Sequence, residues 1–276
     1  MSKKKILVTL SEWGYWGEEL VGPLQVFDER GYESVFMTPT GKRPVALPPS
    51  MDETYMDPPL GRCVTSEYYA RKTRAMENSD RLSRPQSLRE MFPERPYFSA
   101  PEYLREFERY NDALDEARQQ VAGYDALLIV GGSGPMVDLV NNQRLHDVIL
   151  TFHRQGKPIA AECYGVACLA FARDWYERRS LIWGKHVTGH PLEYDYKDGT
   201  GFMPTGTTNF GPPFYPLEFI LRDAVGPEGR YHGNVGRRVS VVVDYPFITS
   251  RSTAESRMCG EKVVEVLENG LKRFGW

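Results

Sequence analysis

Cysteine is scarce: the 276 residues hold four, Cys63, Cys163, Cys168 and Cys259. They lie far apart except for Cys163 and Cys168, whose spacing is not that of a C-x-x-C pair, so the pattern argues against a zinc ribbon or a disulfide framework. Long apolar runs are missing as well. No stretch approaches the roughly 20 residues that span a bilayer. The apolar run Ile6 to Leu10 behind the basic start Met1 to Lys5 is too short for a signal-peptide core. A cytoplasmic location without membrane contact is therefore expected. Nor does one sign of charge dominate: the net charge is −3 and Lys and Arg are spread along the chain, which leaves no footprint for a phosphate backbone and argues against nucleic acid as a partner. Repeats and low-complexity tracts are absent. With 41% apolar and 26% charged residues the composition is that of an ordinary globular protein, and the simplest organisation is one elaborated domain over residues 1–276.

What is present is an alternation of strands and helices. Lys4 to Leu10 reads as a buried strand, followed by the turn Ser11-Glu-Trp-Gly-Tyr-Trp-Gly17. A helix from near Glu18 to Gly31 carries an apolar face of Leu20, Leu24 and Phe27, and a second strand runs from Ser34 to Thr38. This β-α-β opening favours parallel pairing. From about residue 40 to 120 prolines recur and Arg and Glu accumulate, which reads as an insertion or cap with helices near Thr65 to Asn78 and Pro101 to Val121. Alternation resumes with the strand Ala126 to Val130, the turn Gly131-Gly-Ser-Gly-Pro135 and a helix to about Gln155. The strand Pro158 to Glu162 then runs into Cys163, with a helix over Tyr164 to Ala172. Later strands are expected at His186 to Gly189, Arg238 to Asp244 and Phe247 to Ser250, and a closing helix from Ala254 to Phe274. The pattern predicts an α/β fold: a doubly wound, mostly parallel sheet with helices on both faces and an inserted cap.

The stretch Ile159-Ala-Ala-Glu-Cys-Tyr-Gly165 is a small apolar strand ending on a cysteine and a glycine before a helical pattern. Such a junction aims the sulfur away from the sheet edge, towards the carboxyl ends of the strands where open α/β sheets bind ligands. The first helical N–H groups and the dipole there favour a thiolate. It is the thiol counterpart of the serine nucleophile elbow. A buried structural cysteine after a core strand is the competing reading, and local sequence leaves both open.

Four strings occur in order: Gly17-Glu-Glu-Leu-Val-Gly-Pro23 after the first strand, Gly131-Gly-Ser-Gly-Pro-Met-Val-Asp138, Ala161-Glu-Cys-Tyr-Gly165 and Val187-Thr-Gly-His-Pro191. Together they resemble the ThiJ/PfpI superfamily, relatives of the class I glutamine amidotransferases with a flavodoxin-like fold. Length and the proline-rich insertion are most similar to the larger branch that includes the glyoxalase III chaperones. The resemblance implies a catalytic Cys163. It also implies that Glu19, by its place in Glu-x-x-x-Pro, contacts the sulfur, with Glu18 the competing candidate. Gly131, Gly132 and the N–H of Tyr164 would hold a developing oxyanion. His190 would serve as base or stabilise the thiolate, with Glu193 three residues on to orient it. The same resemblance implies a homodimer.

Other residues read from their own surroundings. Asp138 suits capping or local hydrogen bonding. Trp13, Tyr15 and Trp16 either wall a pocket or pack under the cap, and Trp16 is the one counted as substrate-facing. Cys168 suits a small buried apolar role. His186 would share a face with His190 on a regular strand, but two histidines lack a third ligand, so no metal is expected. His146, His153 and His232 read as surface residues. The glyoxalase III branch commonly has histidine after its cysteine and Gly-Gly-His-Gly at the earlier turn, whereas this chain has Tyr164 and Ser133. Tyrosine, with a pKa near 10, is the poorer base. The expected function is cysteine-dependent chemistry on a small carbonyl, amide or nitrile-like substrate without a cofactor. The alternatives are a redox-responsive stress protein or chaperone with an oxidisable Cys163 and, third, a glutamine amidotransferase subunit.

Overall fold

The computed structural model describes residues 3–57, 61–99, 101–196, 204–205, 208–209, 216–233 and 240–276. β1 (Lys5–Thr9), α1 (Gly17–Glu29) and β2 (Glu33–Thr38) form the opening unit, with β1 and β2 parallel and Ile6 opposite Ser34. The hairpin β3 (Met56–Asp57) and β4 (Arg62–Cys63) precedes α2 (Glu67–Glu77), whose Ser66 side chain caps it by accepting from the Tyr69 amide. β5 (Gln86–Ser87), α3 (Leu88–Met91) and α4 (Tyr103–Val121) follow, and β5 pairs in parallel with β2. In α4 the buried residues Tyr110, Leu114, Ala117 and Val121 recur at helical spacing and turn one stripe to the core.

β6 (Ala126–Ile129), α5 (Pro135–Asp138), α6 (Gln143–Arg154) and β7 (Ile159–Glu162) come next, then a 3-10 turn over Cys163–Val166 and α7 (Ala167–Phe171). The C-terminal part carries β8 (His186–Val187), α8 (Leu192–Tyr196), β9 (Pro204–Thr205), β10 (Thr208–Asn209), α9 (Leu217–Ala224) and β11 (Arg230–Tyr231). β12 (Val241–Asp244), β13 (Phe247–Ser250), α10 (Ser256–Asn269) and β14 (Arg273–Phe274) complete it. The main sheet has the order β14-β12-β13-β7-β6-β1-β2-β5. Six strands from β13 to β5 are parallel, and β12 runs antiparallel to both β13 and β14. Both faces are dry, as the continuous apolar strands require. Ile6, Val8, Ala126 and Leu128 face the side of α1 and α10, whereas Leu7, Leu127 and Ile129 face the side of α4, α6, α7 and α9. The expected mostly parallel α/β fold with helices on both faces is the observed one.

Helices α1 and α10 approach closely through two glycines. A Cβ on Gly22 would lie 2.9 Å from the Arg257 nitrogen, and one on Gly260 would lie 2.7 Å from the Pro23 Cα. This contact sets the start of α1 beside Glu255 and Ser256.

Several elements differ from expectation. The helix expected to run to Gln155 is two, because Asn142 accepts from the Arg144 and Leu145 amides and starts α6 afresh. The closing helix stops at Gly270, whose φ of 67° is a left-handed cap, and the chain turns back as β14. The strand expected over His186 to Gly189 is short and pairs with β11 outside the main sheet. Of the strand expected from Arg238, residues 238–239 lie outside the described residues and β12 begins at Val241. His232 is buried rather than on the surface, and His146 and His153 are half-buried. No helix among the described residues is long and apolar enough to cross a membrane.

Candidate active site

β1, β6, β7 and β13 are neighbours in the sheet, so the turns leaving their carboxyl ends converge. The turn after β7 holds Cys163, a non-glycine residue at φ 51°. A left-handed backbone at a side-chain-bearing residue is strained and is found where a local geometry is over-determined. Here it aims the thiol out of the strand direction. The side chain is 4% exposed, and its Sγ lies 3.2 Å from His190 Nδ1.

Glu19, in the first turn of α1, is fully buried. Its carboxyl is wedged against the ends of β6 and β7: a Cβ on Gly131 would lie 2.2 Å from Glu19 Oε2, 2.4 Å from the Glu162 carbonyl oxygen and 2.9 Å from Cys163 Cβ. Only glycine leaves room for that carboxyl. Burial pushes Glu19 up to about 8, although the facing Cys163 sulfhydryl and Gly132 amide favour its charged form. Burial likewise pushes the Cys163 thiol well up, with the Glu19 charge adding to it, while the Tyr164 and Gly132 amides face the sulfur and pull it back down. The expected help from a helix dipole is not there: a 3-10 turn and the five-residue α7 follow the cysteine, too little helix for a macrodipole. A thiolate at Cys163 is therefore favoured by the Tyr164 and Gly132 amides and by its contact with His190, and opposed by burial and by a charged Glu19.

His190 is delivered by a loop tied down at three points. The Thr188 amide donates to Thr249 Oγ1 on β13 (2.9 Å), the Thr188 hydroxyl donates to the His232 carbonyl (2.6 Å), and the Tyr231 hydroxyl donates to the Gly189 carbonyl (3.1 Å). The ring packs against Tyr164, centroids 4.5 Å apart, and meets the edge of Tyr194 at 5.4 Å. Glu193, the carboxylate expected to orient it, is exposed on α8. His186 instead pairs with His232, Nδ1 to Nε2 2.9 Å, under the Trp276 ring. Among the described residues no group of three ligands could hold a metal.

The remaining candidates separate. Trp16 is half-buried, and its backbone amide donates to the Gly131 carbonyl (3.2 Å), placing it at the β6 turn. Trp13 is exposed, and Tyr15 is fully buried with its hydroxyl donating to Glu77 at 2.5 Å. Asp138 accepts from the Glu12 (2.8 Å) and Trp13 (3.2 Å) amides, so it ties the loop before α1 to the turn after β6 rather than capping its own helix. Cys168 is buried and its thiol is pushed up by that burial.

Four residues near the site were not singled out from sequence. Glu162 is fully buried and accepts from the Ser250 hydroxyl at 3.0 Å; burial and the neighbouring Glu19 raise its pKa. Its signal was a charge at the end of an apolar strand. Arg251 and Glu255 form an ion pair at 2.8 Å with side chains only 6% and 11% exposed. Tyr194 follows His190 by four residues, and only the turn into α8 brings the rings together.

The fold and this turn define an α/β protein with a cysteine poised where a central strand gives way to a helix. Residues 10–198 match the profile described as ThiJ/PfpI family-like, and the chain belongs to that family. It is 38% identical over 147 residues to glutamine amidotransferase-like class 1 domain-containing protein 1 of Bos taurus, covering 52% of this chain and 58% of that protein. The chain thus matches little more than half the length of this curated relative. Among solved structures, Rapid Encystment Protein 24 kDa of Francisella tularensis superposes with a TM-score of 0.66 at 19% identity, covering 96% of this chain and 99% of that one. Glyoxalase III of Candida albicans gives a TM-score of 0.56 at 18% identity, covering 96% and 98%. These likenesses establish the fold.

Proposed function

We propose that this protein is a cysteine-dependent enzyme that acts on a small carbonyl, amide or nitrile-like substrate through Cys163. The observation that carries the reading is the 3.2 Å contact between Cys163 Sγ and His190 Nδ1 at a strained strand-to-helix turn. His190 takes the thiol proton, and the sulfur attacks the electrophilic carbon. The carbon–sulfur bond forms as the carbonyl π pair moves to oxygen, where the Gly132 and Tyr164 amides that face the sulfur are placed to hold the charge. Glu19, neutral below about 8, offers its proton to sulfur. With an amide, His190 returns its proton to the leaving nitrogen as the carbon–nitrogen bond breaks, and water then cleaves the resulting thioester to acid and free thiol. With a nitrile, the π pair moves to nitrogen, which takes the proton, and water then displaces the sulfur to give the amide. Tyr164 packs on His190 instead of adding a second base, so one imidazole carries the proton traffic.

The test is a panel of aldehydes, amides and nitriles offered to the wild type and to Cys163→Ala. Turnover confined to the wild type is expected; turnover that survives in the alanine variant removes the nucleophile. A second reading, oxidation sensing, is favoured by the protonated Glu19 lying against the sulfur, where it would donate to a sulfinate oxygen. Its mark would be a stable two-oxygen mass gain at Cys163 after peroxide, absent in Cys163→Ser, with no turnover on any substrate.

A further inference from the structure

β8 and β11 form a ribbon of two residues per strand outside the main sheet, with Arg230 opposite His186 and Tyr231 opposite Val187. So short a two-stranded ribbon is not stable by itself in water, and side-chain bonds must hold it. The bond that crosses it joins two imidazoles: His186 Nδ1 and His232 Nε2 are 2.9 Å apart. One of these facing nitrogens donates and the other accepts. Trp276 stacks on His186 with centroids 3.5 Å apart, its Nε1 donates to the Val243 carbonyl at 2.9 Å, and the Arg273 guanidinium lies 3.5 Å over its ring. The His186 amide donates to Asp244 Oδ2 at 2.9 Å, which ties the ribbon to β12. Among the described residues the charged groups that face the pair are Arg230, Arg273 and Asp244, whose carboxylate Lys185 also meets at 3.5 Å. Burial, with His186 and Arg230 adding to it, holds His232 down at about 4, so the pair keeps its bond across neutral pH.

From this bond the chain leads directly to the site. The His232 amide donates to the Val187 carbonyl at 2.8 Å, and its carbonyl accepts the Thr188 hydroxyl at 2.6 Å. Tyr231, next to His232, donates its hydroxyl to the Gly189 carbonyl at 3.1 Å. β11 thus grips the two residues that precede His190. Beyond it, the Leu192 amide donates to Glu218 Oε2 at 3.0 Å, and Arg222 holds that carboxylate at 2.8 Å while lying over the Tyr231 ring at 5.1 Å. We propose that His232 is a positioning residue: its bond to His186 locks the ribbon, and the locked ribbon holds His190 Nδ1 3.2 Å from Cys163 Sγ. The proposal rests on the reading of His190 as the base for Cys163. Proton transfer between them depends steeply on their geometry, so a slack ribbon leaves the thiol harder to ionise without any change next to the sulfur.

Iodoacetamide labelling of Cys163 tests this, followed by peptide mass spectrometry from about pH 5 to 10. A Cys63→Ser background removes the exposed thiol. His186→Phe keeps a ring under Trp276 but removes the nitrogen that faces His232. It should slow labelling at pH 7 by about tenfold, the effect of raising the thiol pKa by about one unit. His232→Phe should do the same, and the double variant should be no slower than either single one, because both remove one bond. His186→Gln, whose amide can donate or accept, should recover most of the rate. His186 is half-buried, so its two variants decide if His232→Phe does not fold. His190→Phe shows the rate without the base: it should be slow, and adding His186→Phe to it should change nothing. A His186→Phe protein labelled as fast as the parent at every pH, whatever its urea midpoint, overturns the positioning role, while a slow His190→Phe keeps the base reading. Additive losses in the double variant, or a His186→Gln as slow as His186→Phe, overturn the lock as well. A His190→Phe protein as fast as the parent overturns the base reading, and the positioning role falls with it.

Discussion

At Glu19 and Cys163, two acids share one dry compartment, and their ionisations oppose each other. Burial pushes Glu19 up to about 8, so below that pH it is a neutral donor to sulfur. Above it, a carboxylate stands beside the thiol and disfavours the thiolate. The labelling rate of Cys163 should therefore climb with pH up to about 8 and be held back beyond it. Glu19→Gln keeps a donor and never becomes charged. Its Cys163 should react faster than the wild type at pH 9, by roughly tenfold for each pKa unit the thiol falls. Glu19→Leu, with no donor, should react more slowly across the range. Superimposable pH–rate curves for wild type and Glu19→Gln would mean that this carboxyl does not govern the sulfur.

At the scale of elements, the site is a junction of four strand ends, and the tightest point is Gly131 after β6. Any side chain there meets Glu19 Oε2 at 2.2 Å and the Glu162 backbone at 2.4 Å. The backbone cannot yield without moving β7. Gly131→Ala should cost about 1–3 kcal/mol, the usual toll of overpacking, and should also slow labelling of Cys163 because Glu19 and the elbow must separate. Gly123→Ala is the control: a Cβ there has nothing within 4 Å, and urea unfolding midpoints of the two variants should diverge accordingly. The loop from Glu12 to Trp16 is held in the same way from a distance, by Asp138 accepting two of its amides. That explains how α1 is aimed although no side chain caps its first turn.

For the whole molecule, the balance of buried ionisable groups sets the pH of greatest stability. Glu18, Glu19, Glu162 and Glu255 all have raised pKa values, in each case with burial as the leading cause. Their folded forms hold protons that the unfolded chain releases above the usual carboxylate range. Each therefore contributes stability at low pH that is lost as pH rises through its folded pKa, about 8 for Glu18 and Glu19. The slope is at most about 1.4 kcal/mol per pH unit per carboxyl. His146, His153 and His232 pull the other way, with burial lowering their pKa values, that of His232 to about 4. The fold keeps them neutral to lower pH than the unfolded chain, whose histidines take up protons below about 6.5. Between about pH 4.5 and 6.5 the two sets offset each other, and above 6.5 only the carboxyls act, so urea midpoints should fall steadily from about pH 6.5 to 8. In Glu18→Gln the fall toward pH 8 should be shallower. A midpoint that keeps rising to pH 9 would show that these carboxyls ionise freely.

Periodicity and local turn chemistry made much of this legible in the chain itself. Apolar runs such as Ala126 to Val130 and Pro158 to Glu162 can only be strands buried on both faces, and alternation with helices leaves a parallel sheet as the economical solution. The elbow at Cys163 was legible for the same reason, a strand running into a turn before a helical pattern, whereas Glu19 was singled out over Glu18 only by the resemblance of its Glu-x-x-x-Pro string to the family's. What lay beyond the sequence depends on which strands are neighbours and on their register. Ser250 stands against Glu162 because β13, 88 residues downstream, pairs with β7 in one particular offset. Tyr194 reaches His190, and His232 becomes a buried partner of His186, through loops whose paths are set by packing against the sheet. Neutrality of the buried carboxyls belongs to the same class, since a glutamate loses its charge only where tertiary structure has taken away its water.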